Sequence, residues 1–330
     1  MSATVSAVRD ARELGLTFER TLSRQLVHKA AVDQVLLTDA VQLGEREFAF
    51  GSQLPRSHSY YSDSILEAYD QLLVLEIGRQ AAVLAAHEFL DVPRNSQFIF
   101  SNVDAQVHEL EALRRTSRPK EVALIMSLAD ERRRRGQLTA CELRGDYYID
   151  GGRSMSMRGA AVFFDRDRYQ ALRRHMRKWV RPEPVSDPPE PLAPAEVGRR
   201  DAANVVIGQA AAVGGESLSY QSELIVRESH ATFFDHPLDH VPGALLIEAC
   251  RQTALVSAAQ AHDLPAAEAY VEEYAARYER LAELGASVRC RAEVGAAGRA
   301  DGRCAVPVDI SLVQFGSEIA QSRFVLVSER

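Results

Sequence analysis

The stretch from Pro242 to His262 is apolar enough for a buried helix, yet it carries Glu248 and Arg251 three residues apart, and the same arrangement occurs once before. His58, Asp63, Glu76, Arg79 and Gln80 match His230, Asp235, Glu248, Arg251 and Gln252 at a single offset of 172 residues. Between Ser57/Ser229 and Ala86/Ala258, ten of 30 aligned positions are identical without a gap. Two helices rich in Ala and Leu coincide by chance at a few apolar positions, but not at His, Asp, Glu, Arg and Gln together. A chain of 330 residues with such a repeat reads as an internal duplication carried by two domains of ordinary size.

The rest of the chain supports that division. Residues 1–23 read as a poorly packed leader. From Arg24, RQLVHKAAVDQVLLTDAVQLGEREFAFGSQLP alternates apolar and polar residues and predicts strands. Leu72 to Leu90 predicts a helix that Pro93 stops. QFIFSNVDAQVH, KEVALIMSLADE, GQLTACELRGDYYID and SMSMRGAAVFFD then predict strands, and RDRYQALRRHMRKWV a basic helix. Residues 182–194 hold six of the 13 prolines, so 182–200 reads as an extended linker between a first repeat, 24–181, and a second, 201–330. In the second repeat AEAYVEEYAARYER has a helical composition but occupies the place of a strand, and the repeat decides for a strand. Each half is β–α–β–β–β–β in outline, an α+β layer architecture with a long helix against an antiparallel sheet.

Glu and Arg at i and i+3 share one side of a helix. With Leu73-Val74-Leu75 and Leu245-Leu246-Ile247 as flanks the helix is buried nearly all round, where charges cost several kcal/mol unless paired or functional. One reading is a buried structural network of Glu, Arg and Gln. The other is a carboxylate with its pKa raised by burial, acting as a base, with Arg holding an anion or oxyanion. His58 and His230 read as loop histidines or as ligands of a substrate. His236 and His240 precede a helix N-terminus at Pro242–Gly243, where backbone N–H groups attract an anion or carbonyl oxygen. The spacing of Asp235, His236, Asp239 and His240 only weakly suggests a metal, and no second ligand cluster supports one. Arg132 to Arg135 read as a solvated turn, or else as a landing patch for an acidic protein or a phosphate.

FFDHPLDHVPGALLIEACRQ resembles the active-site segment of hotdog-fold acyl-carrier-protein dehydratases, although the loop from His236 to Pro242 is two residues shorter. Together with RQLVHKAAVDQVLLTD, LPRSHSYYSD and LLVLEIGRQAAVLAAHEF it looks like the A-factor biosynthesis family of γ-butyrolactone autoregulator synthases, with two hotdog repeats forming a pseudo-dimer. That resemblance implies transfer of a β-ketoacyl group from an acyl carrier protein, or from an acyl-CoA, to a hydroxyl of dihydroxyacetone phosphate. The product would be the precursor of a butyrolactone or butenolide signal. It further implies Glu248 as base, a backbone N–H near Gly243 for the thioester oxygen and Arg251 for the phosphate or oxyanion. Glu76 and Arg79 would act likewise in the first repeat or support the shared interface, with Gln252, Gln80, His240, His230 and His58 lining substrate and His236 among the catalytic candidates. No cofactor and no metal are required. Because the first copy lacks Pro-Gly and the extra histidines, the second helix is expected to be the better-formed site.

The bulk numbers narrow the classes. A net charge of −7 disfavours nucleic-acid binding, and no run of about 18 apolar residues offers a membrane span. The N-terminus lacks the apolar core of a signal peptide, and four scattered cysteines suit a reducing cytoplasm. The alternatives are a dehydratase or thioesterase on the same fold, or a non-catalytic acyl-ligand regulator. Association of the pseudo-dimer into a homodimer is left open by the sequence.

Overall fold

The computed structural model describes residues 11–181, 187–214, 218–300 and 302–329. Its internal contacts separate two units, Met1–Ser62 with Glu67–Gln170, and Asp63–Leu66 with Ala171–Arg330.

In the first unit β1 (Leu37–Gly44) and β2 (Glu47–Leu54) form a hairpin and lead to α1 (Gln71–Glu88). Strands β3 (Gln97–Val107), β4 (Lys120–Arg134), β5 (Gln137–Ile149) and β6 (Gly152–Phe164) follow. They pair antiparallel in the order β1-β2-β4-β5-β6-β3. Every residue of α1 except Arg79 and Glu88 is buried, as its all-round apolar sequence requires. Asp70 caps the helix, its Oδ1 accepting the Leu72 N–H at 2.9 Å.

One position shows how tightly this helix is enclosed. A Cβ on Gly78 would lie 2.2 Å from both the Tyr147 hydroxyl and the Met157 sulfur. Tyr147 is fully buried and its hydroxyl donates to that sulfur at 2.7 Å, so it has no room to withdraw. Gly78→Ala would gain about 1 kcal/mol of helix propensity, but overpacking costs about 1–3 kcal/mol. A net loss of stability in urea denaturation is expected, and a gain would show that the contact relaxes freely.

A basic helix, α2 (Arg166–Met176), belongs to the second unit from Ala171 onward. That unit continues with β7 (Ala211–Ala212), β8 (Ser219–Glu223), α3 (Gly243–His262), β9 (Tyr270–Tyr278), β10 (Arg289–Val294), β11 (Gly298–Ala300), β12 (Arg303–Gln314) and β13 (Ser317–Glu329). Its antiparallel order, β7-β8-β10-β12-β13-β9, reproduces that of the first unit strand for strand, with β11 paired to β12. The ambiguous segment within 267–280 is the strand β9, as its place in the repeat predicted.

Several sequence expectations need correction. Each unit has two strands before its helix, not one. Residues 1–10 of the expected leader lie outside the described residues, but the remainder packs: Leu16 is buried with Ala49, Ala123 and Ile125, and Leu14 and Phe18 lie against them. Its backbone also docks, Leu22 N–H donating to the Leu37 carbonyl at 2.9 Å. Residues 24–34 form 3-10 turns, Arg24–Val27 and Val32–Gln34, where strands were predicted; Val27 anchors the first by burial and Gln34 the second, while Val32 is exposed. Asn204 likewise ends a 3-10 turn, Ala202–Asn204. Residues 182–186 lie outside the described residues, and the end of the proline-rich stretch is core: Leu192, Val197 and Arg199 are buried. Pro194 opens the turn Pro194–Val197, where a missing N–H is harmless. Arg132 to Arg135 are exposed at the β4–β5 hairpin tip, with Arg135 and Gly136 both at positive φ. No helix among the described residues is long and apolar enough to cross a membrane.

Candidate functional site

The duplicated residues form the same constellation in each unit. On α1, Glu76 Oε2 accepts from Arg79 Nε at 2.7 Å, and Oε1 accepts from Arg79 Nη2 at 2.8 Å and Gln80 Nε2 at 2.9 Å. Lys29 Nζ lies 3.0 Å from Oε1. On α3, Glu248 Oε2 accepts from Arg251 Nε at 2.7 Å, and Oε1 from Arg251 Nη2 at 2.8 Å, Gln252 Nε2 at 2.5 Å and Arg199 Nε at 2.9 Å. The i, i+3, i+4 spacing places all three α3 side chains on one helix face.

The glutamines tie these helices to the turns before each hairpin. Gln80 Nε2 donates to the Gln34 carbonyl at 2.8 Å while its Oε1 accepts the Leu36 N–H at 3.0 Å. Gln252 repeats both bonds with the Asn204 carbonyl at 2.7 Å and the Val206 N–H at 2.9 Å. Arg79 and Arg251 reach the carbonyls of Val27 and Val197, each at 3.5 Å. The residues after those valines, His28 and Gly198, are both left-handed, at φ 53° and 75°.

Sequence reasoning missed Lys29, Arg199, Gln34 and Asn204. Val27/Val197, Lys29/Arg199, Gln34/Asn204 and Leu36/Val206 all match at an offset of 170, not 172. The second copy carries two extra residues between this segment and the His loop. An ungapped alignment therefore ends before reaching it. The usable signal was a basic residue two positions after Val in both copies.

These cations reverse the expected electrostatics of the glutamates. Burial alone would push the Glu248 carboxyl up, but the guanidiniums of Arg199 and Arg251 outweigh it and hold the pKa down, at about 2. Glu76 is likewise buried, yet Arg79 and Lys29 hold it well below the ordinary carboxylate range. The carboxylate with a raised pKa, expected of a buried base, is thus corrected in both copies. The expected ranking of the copies also changes in one respect: Arg79 keeps 29% of its side chain accessible, against 10% for Arg251, and Glu248 is wholly enclosed.

The histidines divide. His230 Nδ1 accepts the N–H groups of Thr232 and Phe233, both at 3.3 Å, and its Nε2 lies 3.0 Å from Asn204 Oδ1. Asn204 Nδ2 in turn donates to Asp63 at 2.8 Å, which leaves Oδ1 as acceptor and fixes His230 as the Nε2–H tautomer. Burial depresses the His230 pKa and the nearby Arg227 adds to this. His58 clamps its own loop in the same way, Nδ1 accepting from Tyr60 and Tyr61 at 3.1 Å, with Nε2 3.2 Å from the Gln34 amide. Both histidines therefore staple turns beside the glutamates.

No hydrogen bond or ion pair joins His236 or His240 to the Glu248 group among the described residues. His236 is exposed with Asp235 at 3.4 Å, and His240 Nδ1 meets Asp239 at 2.7 Å. These are two separate pairs, and no group of three or more potential metal ligands occurs among the described residues. Gly243 is exposed at the α3 N-terminus, where an added Cβ would meet nothing within 4 Å. Unlike α1, α3 has no side-chain cap: Pro242 occupies the N-cap, and only its carbonyl accepts, from the Leu245 and Leu246 N–H groups at 3.0 and 3.2 Å.

Comparison with known proteins gives a consistent result. The A-factor biosynthesis hotdog domain matches residues 12–151 and again 180–326, so the second match takes in the expected linker. A 2-oxo-3-(phosphooxy)propyl 3-oxoalkanoate synthase from Streptomyces virginiae is 35% identical over 234 residues, 71% of this chain and 76% of that protein. A synthase of the same name from Streptomyces griseus is 31% identical over 264 residues, 79% of this chain and 81% of that protein. Among solved structures, one assigned as an oleoyl thioesterase from Lactobacillus plantarum superposes with a TM-score of 0.52 at 12% identity, over 86% of this chain and 97% of that one. At that identity the likeness establishes the double hotdog fold and nothing about chemistry.

Proposed function

Because the chain belongs to the A-factor biosynthesis hotdog family, we infer that it is an acyltransferase making a 2-oxo-3-(phosphooxy)propyl 3-oxoalkanoate. The observation that carries this is the match of the family domain to both units, each with its Glu-x-x-Arg-Gln helix, together with the likeness of 71–79% of the chain to synthases of that name. A β-ketoacyl thioester, carried by an acyl carrier protein, donates to the free hydroxyl of dihydroxyacetone phosphate. The acyl C–S bond breaks as the C–O ester bond forms, and the hydroxyl proton leaves with the thiolate as free thiol.

The geometry supports a reading of the residue roles. A carboxylate that accepts four donors and titrates near 2 is a poor proton acceptor, so Glu248 serves to hold Arg199 and Arg251 rather than to deprotonate the alcohol. Glu76 does the same for Lys29 and Arg79. Arg79, the more accessible guanidinium, is the residue proposed to meet the acceptor phosphate. In the second unit, taken by itself, the first N–H groups of α3 at Gly243, which have no side-chain cap, are proposed to hold a thioester oxygen. All four cysteines are buried and free, which supports work in a reducing compartment such as the cytoplasm.

The test is incubation with a β-ketoacyl carrier-protein thioester and dihydroxyacetone phosphate, followed by mass spectrometry. The phosphorylated ester is the expected product, dependent on both substrates. Free β-keto acid as the only product would instead assign a thioesterase, and absence of turnover would favour an acyl-ligand-binding protein.

A further inference from the structure

The transfer reaction leaves unused the most one-sided charge pattern in the molecule. Residues 168–181 contain six cations, Arg168, Arg173, Arg174, Arg177, Lys178 and Arg181, and no carboxylate, within a chain of net charge −7. Arg173 is spent inside the fold. It is buried, donating to Asp239 Oδ2 at 2.9 Å, to the Asp239 carbonyl at 2.8 Å and to both Glu283 oxygens at 2.7 and 2.8 Å. Those bonds pair Asp239 and Glu283 with Arg173 and moor α2 to the loop that runs into Pro242–Gly243. Arg177 leans on the same pair at 3.7–3.9 Å. Arg174, Lys178 and Arg181 remain exposed and have no ion-pair partner among the described residues.

Next to them stands Trp179, the only tryptophan of the chain, 66% exposed, with Val180 38% exposed beside it. The Arg280 guanidinium lies 5.9 Å from the Trp179 ring centroid and adds a further cation to the patch. An exposed tryptophan with an Arg at its ring and cations beside it in the chain has the composition of a binding hot spot. Its positive sign selects a negatively charged partner, which the net charge of −7 on the whole chain would by itself repel.

We propose that the Arg174–Arg181 face of α2 and its following turn docks the acidic carrier protein that brings the acyl thioester. The proposal rests on the transfer reaction inferred above, which requires a macromolecular donor. A moored helix makes a rigid platform, and its ties to the loop before α3 place the dock on the unit that bears the open helix N-terminus.

The experiment uses the full chain and two readouts. Titration with a β-ketoacyl carrier protein that lacks tryptophan should change Trp179 emission saturably, and Arg174→Glu/Lys178→Glu should abolish the change. In the transfer assay the same double variant should raise KM for the carrier-borne donor at least about tenfold, with a steep dependence on salt. Its kcat with a small pantetheine thioester should stay unchanged. An unaltered KM, or equal losses with both donors, overturns the docking site. So does an emission response to phosphatidylserine vesicles or duplex DNA but not to the carrier, which would assign a membrane or nucleic-acid surface. If the wild type binds the carrier yet transfers from neither donor, the docking site stands and the transfer reading fails.

Discussion

Glu248→Ala is expected to destabilise the second unit by about 3–5 kcal/mol, because it leaves Arg199 and Arg251 buried without their counter-charge. Arg199 is wholly enclosed and cannot shed its proton, so the structure has no inexpensive way to accommodate the loss. Glu76→Ala should cost less. Its partner Arg79 keeps 29% of its side chain accessible, so water can solvate the guanidinium that is left. The same ion pairs predict the acid response. A carboxyl held at about 2 in the folded chain against an ordinary 4.5 contributes stability that is fully present above pH 4.5 and is lost as the pH falls toward 2. That difference amounts to about 3 kcal/mol. Urea denaturation of wild type and Glu248→Ala between pH 7 and 3 checks both statements: the variant should start lower and fall less steeply on acidification. Equal slopes would mean that Glu248 is not the group that titrates.

The same network marks where the sequence was readable and where it was not. Glu76, Arg79, Gln80 and their partners on α3 were visible because each must occupy a fixed helical position, and helices tolerate no insertion without rotating a face. The strand assignment of β9 was recovered for the same reason, since the register of the repeat outweighed the helical composition of AEAYVEEYAARYER. Lys29 and Arg199 lie on turns, which absorb a two-residue length difference freely, and Arg199 sat in a proline-rich stretch that looked like a spacer. Missing those two cations is what inverted the pKa expectation: counted alone, burial raises a carboxyl, and only the tally of donors shows that it is lowered. His236 shows the converse. Its place before Pro-Gly resembled a functional loop, but nothing in a linear sequence distinguishes a side chain pointing to solvent from one pointing inward.

Arg79→Gln should raise KM for dihydroxyacetone phosphate about 10- to 100-fold, the worth of one charge-assisted contact to a phosphate, while leaving the fold intact. Glu76 would keep Lys29 and Gln80 as partners, so the loss of one guanidinium does not strand a buried charge in that unit. Arg251→Gln should behave differently. Arg251 is nearly enclosed and shares Glu248 with Arg199, so its removal should lower stability first and activity only in proportion to unfolded protein. Conservative replacement separates packing from chemistry: Arg79→Lys keeps the charge but not the planar fork that grips Glu76, and should recover only part of the phosphate affinity. The decisive comparison is acceptor KM against folded fraction for both variants at one temperature. If Arg251→Gln remains folded and loses acceptor binding while Arg79→Gln retains it, the phosphate is held in the second unit, and the enclosed guanidinium must open to receive it.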